Sequence, residues 1–286
     1  MSSQRPPTSG KSLSRRSALR LGALGLASGS WAYGVEPNLL SITRKDIHLP
    51  RWPKALDGFR IAQITDVHFR PGQDDSLIEK LCIATNEEKP DLIAITGDFV
   101  TKDPSSLPEC TRALAPLKAA HGIFASPGNH DRWHLRHYLL KREIEGTGMA
   151  LLLNQGTKLT IKGESIFLNG LDSVWGGQLD PAKTWKGHKK TSPVISLLHE
   201  PDPFETLHRE HPLDLQLSGH THGGQCRVPV LGYAPAKVKY GRKYLYGEFA
   251  EGRSRLFVGR GLGTVAFRVR FACAPELAIL TLRSSP

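Results

Sequence analysis

The chain has 286 residues, 39% of them hydrophobic and 23% charged, a composition that fits an ordinary globular protein and excludes a fibrous or wholly disordered one. Its 38 basic residues against 27 acidic ones give a formal net charge of +11, which suits an anionic substrate or an anionic membrane surface. No basic run is interleaved with aromatics, so no nucleic-acid partner is expected, and no internal repeat points to a solenoid or propeller.

Part of that charge belongs to the N-terminus. Residues 1–32 carry Arg5, Lys11, Arg15, Arg16 and Arg20 and no acid, so without them 33 basic residues face 27 acidic ones. Residues 1–12 are polar, rich in Ser and Pro, and expected to be disordered. Arg15 and Arg16 then precede a short apolar stretch, residues 21–27, and the small residues Ala27, Ser28, Gly29 and Ala32. This order of basic, apolar and small residues resembles a bacterial twin-arginine export signal, although Ala18 stands where a Phe is common. The resemblance implies export of the folded protein to the periplasm or cell envelope, with the leader either cleaved or kept as an anchor. The alternative is a basic N-terminal helix of a cytosolic protein. Gly22 and Gly25 leave the stretch too weakly apolar for a stable membrane span. Residues 1–35 are assigned to the leader and 36–286 to one domain.

Within the domain, residues 40–49 read as an edge strand that Pro50 and Pro53 end. A buried strand over 59–64 stops at Thr65-Asp66, and the spacing of Leu77, Leu81 and Ala84 predicts a helix over 74–87. Residues 91–95 form the next strand, 107–119 a helix, 122–125 a third strand, and 131–146 one helix. The second half is richer in strands, at 150–153, 159–161, 166–169, 194–198, 213–217, 243–249, 255–258 and 276–282. Early alternation followed by a strand-rich half predicts a layered α/β domain, two sheets face to face with helices outside.

Polar residues recur at the ends of these strands. Asp66 and His68 follow the first, Asp98 the second, and Asn129, His130 and Asp131 the third; His199, and then His220 and His222, follow two later ones. In open α/β sheets, groups at the carboxyl ends of strands converge on one crevice. Imidazole with carboxylate and no thiolate suits Mn, Fe or Zn, and seven such ligands suit two ions sharing a bridge. Two ions can clamp the attacking and leaving oxygens of an in-line phosphoryl displacement, with hydroxide between them as the nucleophile.

Together, Asp66-Val67-His68, Gly97-Asp98, Gly128-Asn129-His130-Asp131, His199 and Gly219-His220-Thr221-His222 resemble the motif set of calcineurin-like metallophosphoesterases. That resemblance implies a four-layer αββα sandwich and two divalent metal ions. Asp66, His68, Asp98 and His222 would hold the first ion. Asp98, Asn129, His199 and His220 would hold the second. His130 would act off the metals, as general acid or transition-state donor, and Asp131 would orient it through a hydrogen bond.

The flanks, residues 33–37, 197–202, 219–225 and 259–263, resemble a bacterial subgroup of exported or membrane-associated phosphodiesterases. That subgroup includes the lipid A pathway UDP-2,3-diacylglucosamine pyrophosphatase. Cys226 and the Gly-, Lys- and Trp-rich stretch 172–190 depart from it. The expected reaction is hydrolysis of a phosphodiester or pyrophosphate in an envelope or nucleotide-lipid substrate. The alternatives are an exported phosphomonoesterase and a metal-dependent scaffold without turnover.

No residue is assigned to substrate binding. Arg132, Trp133 and His134 either reach a phosphate or cover a helix surface; Trp175 and Trp185 either meet a lipid or sugar or pack under their loop. Asp172 is expected to be a structural loop carboxylate, while Arg260 and Arg270 are candidates to face a substrate phosphate. Cys82, Cys110, Cys226 and Cys273 lie far apart, as buried small residues or with one disulfide between them.

Overall fold

A computed structural model describes residues 14–228 and 243–285; the disorder expected of residues 1–12 falls outside them. Along the chain the strands are β1 (Ser41–Leu49), β2 (Phe59–Ile64), β3 (Leu92–Thr96), β4 (Ile123–Ser126), β5 (Ala150–Leu151) and β6 (Gln155–Ile161). They continue as β7 (Glu164–Gly170), β8 (Val194–Leu197), β9 (Leu215–Ser218), β10 (Gly247–Glu251), β11 (Ser254–Val258) and β12 (Glu276–Ser284). Two six-stranded sheets result, ordered β1-β12-β2-β3-β4-β5 and β10-β11-β9-β8-β7-β6. β2 to β5 run parallel in the first, and β7, β8, β9 and β11 run parallel in the second.

The apolar runs are continuous because these strands are buried on both faces. Side chains alternate across a strand, so Leu92 and Ala94 of β3 enter the core between the sheets with Leu168, Ile195, Leu197 and Leu217. Ile93 and Ile95 point the other way, with Ala62 and Ile64 of β2, into a helical layer. That layer contains Leu77, Ile78 and Leu81 of α2 (Asp75–Glu87), Leu107 and Leu114 of α3 (Leu107–Leu114), and Leu140 and Ile144 of α5 (His137–Glu145). On the outer face of the second sheet, Phe204 and Leu207 of α6 (Phe204–Glu210) pack with Leu198, Tyr244 and Val258. The layers are therefore αββα.

Three of the differences from the sequence reading have a clear physical cause. α3 stops at Leu114 instead of continuing to 119, because Pro116 lacks the N–H that another turn requires and restricts Ala115 before it. The single helix expected over 131–146 is two, α4 (Asn129–His134) and α5, parted where Leu135 takes an extended conformation and enters the core. The strand expected from 243 begins at Gly247, since the residues before it turn Tyr244 inward, where its hydroxyl donates to Glu205 Oε1 at 2.6 Å.

Before the domain, α1 (Arg15–Ser30) is capped by Ser14, whose Oγ accepts the Ser17 N–H at 3.2 Å. Among the described residues no helix is long and apolar enough to cross a membrane. Cys82, Cys110 and Cys273 are buried, Cys226 is half-buried, and all four thiols are free.

Arg260 and Arg270 do not face outward as candidates for a substrate phosphate. Arg260 is bound to the Glu276 carboxylate through Nε at 3.0 Å. Arg270 is fully buried and donates to the carbonyls of Arg260, Gly261, Gly263 and Cys273, so it cross-links the loop that runs under the strand ends. Arg270→Ala leaves those carbonyls without a donor around a void. We expect a loss of roughly 3 kcal/mol, read from urea unfolding; a loss below about 1 kcal/mol would show that the cross-link is dispensable.

Candidate metal centre

The site begins as a backbone problem. Asp66, His68, Asp98, His220 and His222 all have positive φ, of 51°, 43°, 56°, 69° and 52°. Non-glycine residues avoid that region, at a cost of about 1–3 kcal/mol each, and persist there only where their surroundings fix them. Part of the fixing is close backbone contact between loops. Gly97 has φ of 82°, and a Cβ built on it would stand 2.4 Å from the Gly128 nitrogen, so the loops after β3 and β4 touch directly.

Asp131 ties the same two loops together. Its carboxylate accepts the N–H groups of Asp98 at 2.8 Å, Phe99 at 2.9 Å, Val100 at 3.2 Å and Gly128 at 2.9 Å. This corrects the expected hydrogen bond from Asp131 to the His130 ring: the carboxylate is occupied by amides. The ring is held instead by the Thr101 carbonyl, which accepts from His130 Nδ1 at 2.5 Å, while the His130 amide donates to Asp98 Oδ1 at 2.9 Å. Burial, and next the Asp98 charge, push the Asp131 carboxyl up to about 7, against the pull of the amides.

All seven expected ligands meet at one place. Asp98 Oδ2 lies 3.3 Å from His68 Nε2 and 3.2 Å from His199 Nε2. Asp66 Oδ1 lies 3.2 Å from His222 Nε2, which is itself 3.1 Å from His68 Nε2. On the other side His220 Nδ1 is 2.8 Å from Asn129 Oδ1 and 3.3 Å from His199 Nε2. Asp98 thus stands between the groups, as a bridging ligand must. His130 also comes close, its ring making an edge contact with that of His68 at 4.9 Å.

The outer nitrogens of the ligating rings are held in turn. His199 Nδ1 donates to the Thr96 carbonyl at 2.7 Å, and His68 Nδ1 lies 3.1 Å from Thr101 Oγ1. Such partners orient an imidazole and fix its tautomer. The sequence reading did not find Thr96 or Thr101. Thr96 holds His199, and Thr101 holds His130, through a backbone carbonyl, which no side-chain pattern announces.

Burial pushes His220 down to about 3, with the neighbouring His199 charge adding to it, and burial likewise lowers His68. His199 differs: burial opposes its charge, but Asp98 and Asp66 outweigh that and hold it well above the usual histidine range. Ionised Asp66 and Asp98 with the imidazoles of His68 and His220 held neutral by burial are donors suited to a divalent cation, which would take the place of the proton the carboxylates draw onto His199. The donors fit the group.

Two tryptophans border this cluster. The Trp133 ring lies 5.0 Å from that of His130 and the Trp175 ring 4.7 Å from that of His220, and Trp133 Nε1 donates to the Trp175 carbonyl at 3.1 Å. Trp185 is elsewhere, stacked on His211. Asp172 is the expected loop carboxylate, accepting from Arg132 Nε at 2.8 Å and the Gln178 N–H at 2.9 Å. Buried Glu200 accepts the Val174 and Trp175 N–H groups, both at 3.2 Å, and so positions the loop that carries Trp175.

Carboxylates and imidazoles gathered at the strand ends of an αββα sandwich define a metal-dependent phosphoester hydrolase. The chain belongs to the calcineurin-like phosphoesterase family, whose profile matches residues 59–224. It is 32% identical to phosphodiesterase YaeI of Escherichia coli strain K12, over 94% of this chain and 99% of that one. It is also 32% identical to the metallophosphoesterase YkuE of Bacillus subtilis strain 168, over 96% and 99% of the two chains. UDP-2,3-diacylglucosamine pyrophosphatase LpxG of Chlamydia trachomatis is 29% identical, over 90% of this chain and 93% of that one.

A cation that binds only the folded state raises stability, by about 2.7 kcal/mol at a hundredfold excess over Kd. For a domain of this size that is roughly 5–10 °C in melting temperature. Adding Mn²⁺ to chelator-treated protein should produce such a rise, and Asp98→Ala should abolish it. An equal rise in the variant would place the binding elsewhere.

Proposed function

We propose that the chain is a two-metal hydrolase of phosphodiesters or pyrophosphates, acting on an envelope or nucleotide-lipid substrate. The convergence of all seven ligands with His130 beside them supports the reading most directly. Asp66, His68, Asp98 and His222 would hold one ion, and Asp98, Asn129, His199 and His220 the other; Mn, Fe and Zn all suit these donors. When bound, the pair supplies Lewis-acid stabilisation of the phosphoryl charge and a lowered pKa for water.

The protein's own groups do the rest. The Thr101 carbonyl keeps a proton on His130 Nδ1, so Nε2 is the nitrogen left to serve the leaving oxygen. An anionic ester bound nearby favours a proton on that nitrogen, and His130 can then donate it as the ester bond breaks. Asp131 acts through the backbone, keeping Asp98 and His130 on facing loops. Trp133 and Trp175 form an apolar wall against the rings of His130 and His220 that would exclude water from one side. The names of the phosphodiesterase and pyrophosphatase relatives support diester or anhydride bonds as the target.

Export by the twin-arginine route to the periplasm or cell envelope is the second part of the proposal, supported by Arg15 and Arg16 heading a short helix with exposed leucines. Replacing both arginines by lysine should leave the protein in the cytoplasmic fraction, whereas unchanged fractionation would remove the export reading.

With Mn²⁺ bound, the full-length protein should cleave bis-p-nitrophenyl phosphate in preference to p-nitrophenyl phosphate. Asp98→Ala should lower kcat/KM on the order of 100-fold or more, as expected for loss of a bridging ligand. A strong preference for the monoester would replace the reading with a phosphomonoesterase, and metal binding without any turnover would point to a scaffold.

A further inference from the structure

The donors of the metal centre are not equally enclosed. Asp66, His68, Asp98, Asn129, His199 and His222 are buried, whereas His130 and His220 are half-buried. A phosphoryl group held among these donors therefore has its organic substituents directed outward past His130 and His220. Those are the two residues that the tryptophans touch, Trp133 at 5.0 Å ring to ring from His130 and Trp175 at 4.7 Å from His220. Both indoles stay open to solvent, Trp133 at 50% and Trp175 at 45% exposure. Single exposed apolar side chains are ordinary, but an adjoining pair at the mouth of a site points to a ligand.

The pair is also fixed relative to the metal ligands. Glu200, next in sequence to His199, accepts the Val174 and Trp175 amides and a bond from Ser173 Oγ at 2.5 Å. Gly176 lies against the turn that carries Asn129, where a Cβ built on it would stand 2.7 Å from the Asn129 carbonyl oxygen. Arg132 Nε donates to Asp172 at the start of the same loop, and Trp133 Nε1 donates to the Trp175 carbonyl. The indoles are thus positioned before any ligand arrives, which lowers the ordering cost of binding. An indole face offers a π-surface on which a flat ring can stack. An aliphatic chain gains in proportion to the apolar area it removes from water, and so gains most where it is enclosed on several sides. An open face of this kind suits a flat ring.

We infer that Trp133 and Trp175 form a stacking platform for an aromatic ring, aryl group or nucleobase, carried by the phosphate that the metal centre binds. The inference rests on the proposed function and names the substituent that this function would select. The platform starts at the rings of His130 and His220, so a ring attached within a few atoms of phosphorus reaches it.

Calorimetric binding to the full-length, Mn²⁺-loaded protein tests this with two pairs of hydrolysis-resistant ligands. The first is phenylphosphonate beside cyclohexylphosphonate, which differ in flatness and hardly in size. The second is the phosphonate analogue of UMP beside that of ribose 5-phosphate. In at least one pair the aromatic member should bind about tenfold more tightly, equal to about 1.4 kcal/mol. The preference should fall below twofold when Trp133→Leu and Trp175→Leu are combined, and Phe at both positions should keep most of it. A Trp-dependent preference in the first pair alone identifies an aryl group, and one in the second a nucleobase. A wild-type preference below twofold in both pairs, failure to bind included, overturns the platform. So does a preference that the double Leu variant leaves within twofold of wild type. A Trp-dependent preference without turnover of any phosphate ester would remove the proposed hydrolysis and leave the platform standing; turnover of diesters without the preference would do the reverse.

Discussion

The rest of the structure is organised around a crowded, buried cluster of carboxylates and imidazoles. Asp66, Asp98, His68 and His199 are fully buried, and His68 and His222 bring two ring nitrogens to within 3.1 Å. Like groups gathered so closely are unfavourable without a compensating positive charge. The folded chain supplies a partial answer by drawing charge onto His199, and a divalent cation would answer the whole set. The five left-handed residues among the ligands show that local backbone preference has been overridden to reach this arrangement.

What overrides it is the rigidity of the two sheets. Parallel strands β2, β3 and β4 in one sheet and β8 and β9 in the other end at the same level, each leading into ligand-bearing residues within a few positions. Asp131 then joins the loop after β3 to the loop after β4 through four amides, and Arg270 joins carbonyls in the loop after β11. Both are buried ionisable groups bound mainly to backbone, which makes them positioning devices. Asp131 adjoins His130 in sequence, yet it serves the neighbouring loop more than its neighbour's ring.

Much of this was legible in the sequence because it follows from strand ends. An apolar run stopping at a carboxylate or histidine needs only periodicity to be read, and the resemblance to calcineurin-like metallophosphoesterases then singled out seven of those strand-end residues as ligands. The helix expected over 131–146 was misread as unbroken because Leu135 keeps helical spacing while its burial is decided by the core. Arg270, beside a glycine-rich stretch, had the look of a phosphate ligand; only the fold shows its guanidinium enclosed by carbonyls. Thr96, Thr101 and Glu200 were missed because they act on backbone groups or through them.

The same division separates chemistry from choice of substrate. The metal ligands come from strand ends, where geometry is set by the sheets and allows little variation. The wall of Trp133 and Trp175 comes from a short helix and a loop, beside the rings of His130 and His220. On the proposed export route the cluster would also have to be filled before translocation, because a chain carried in its folded state takes with it whatever its buried donors have already bound.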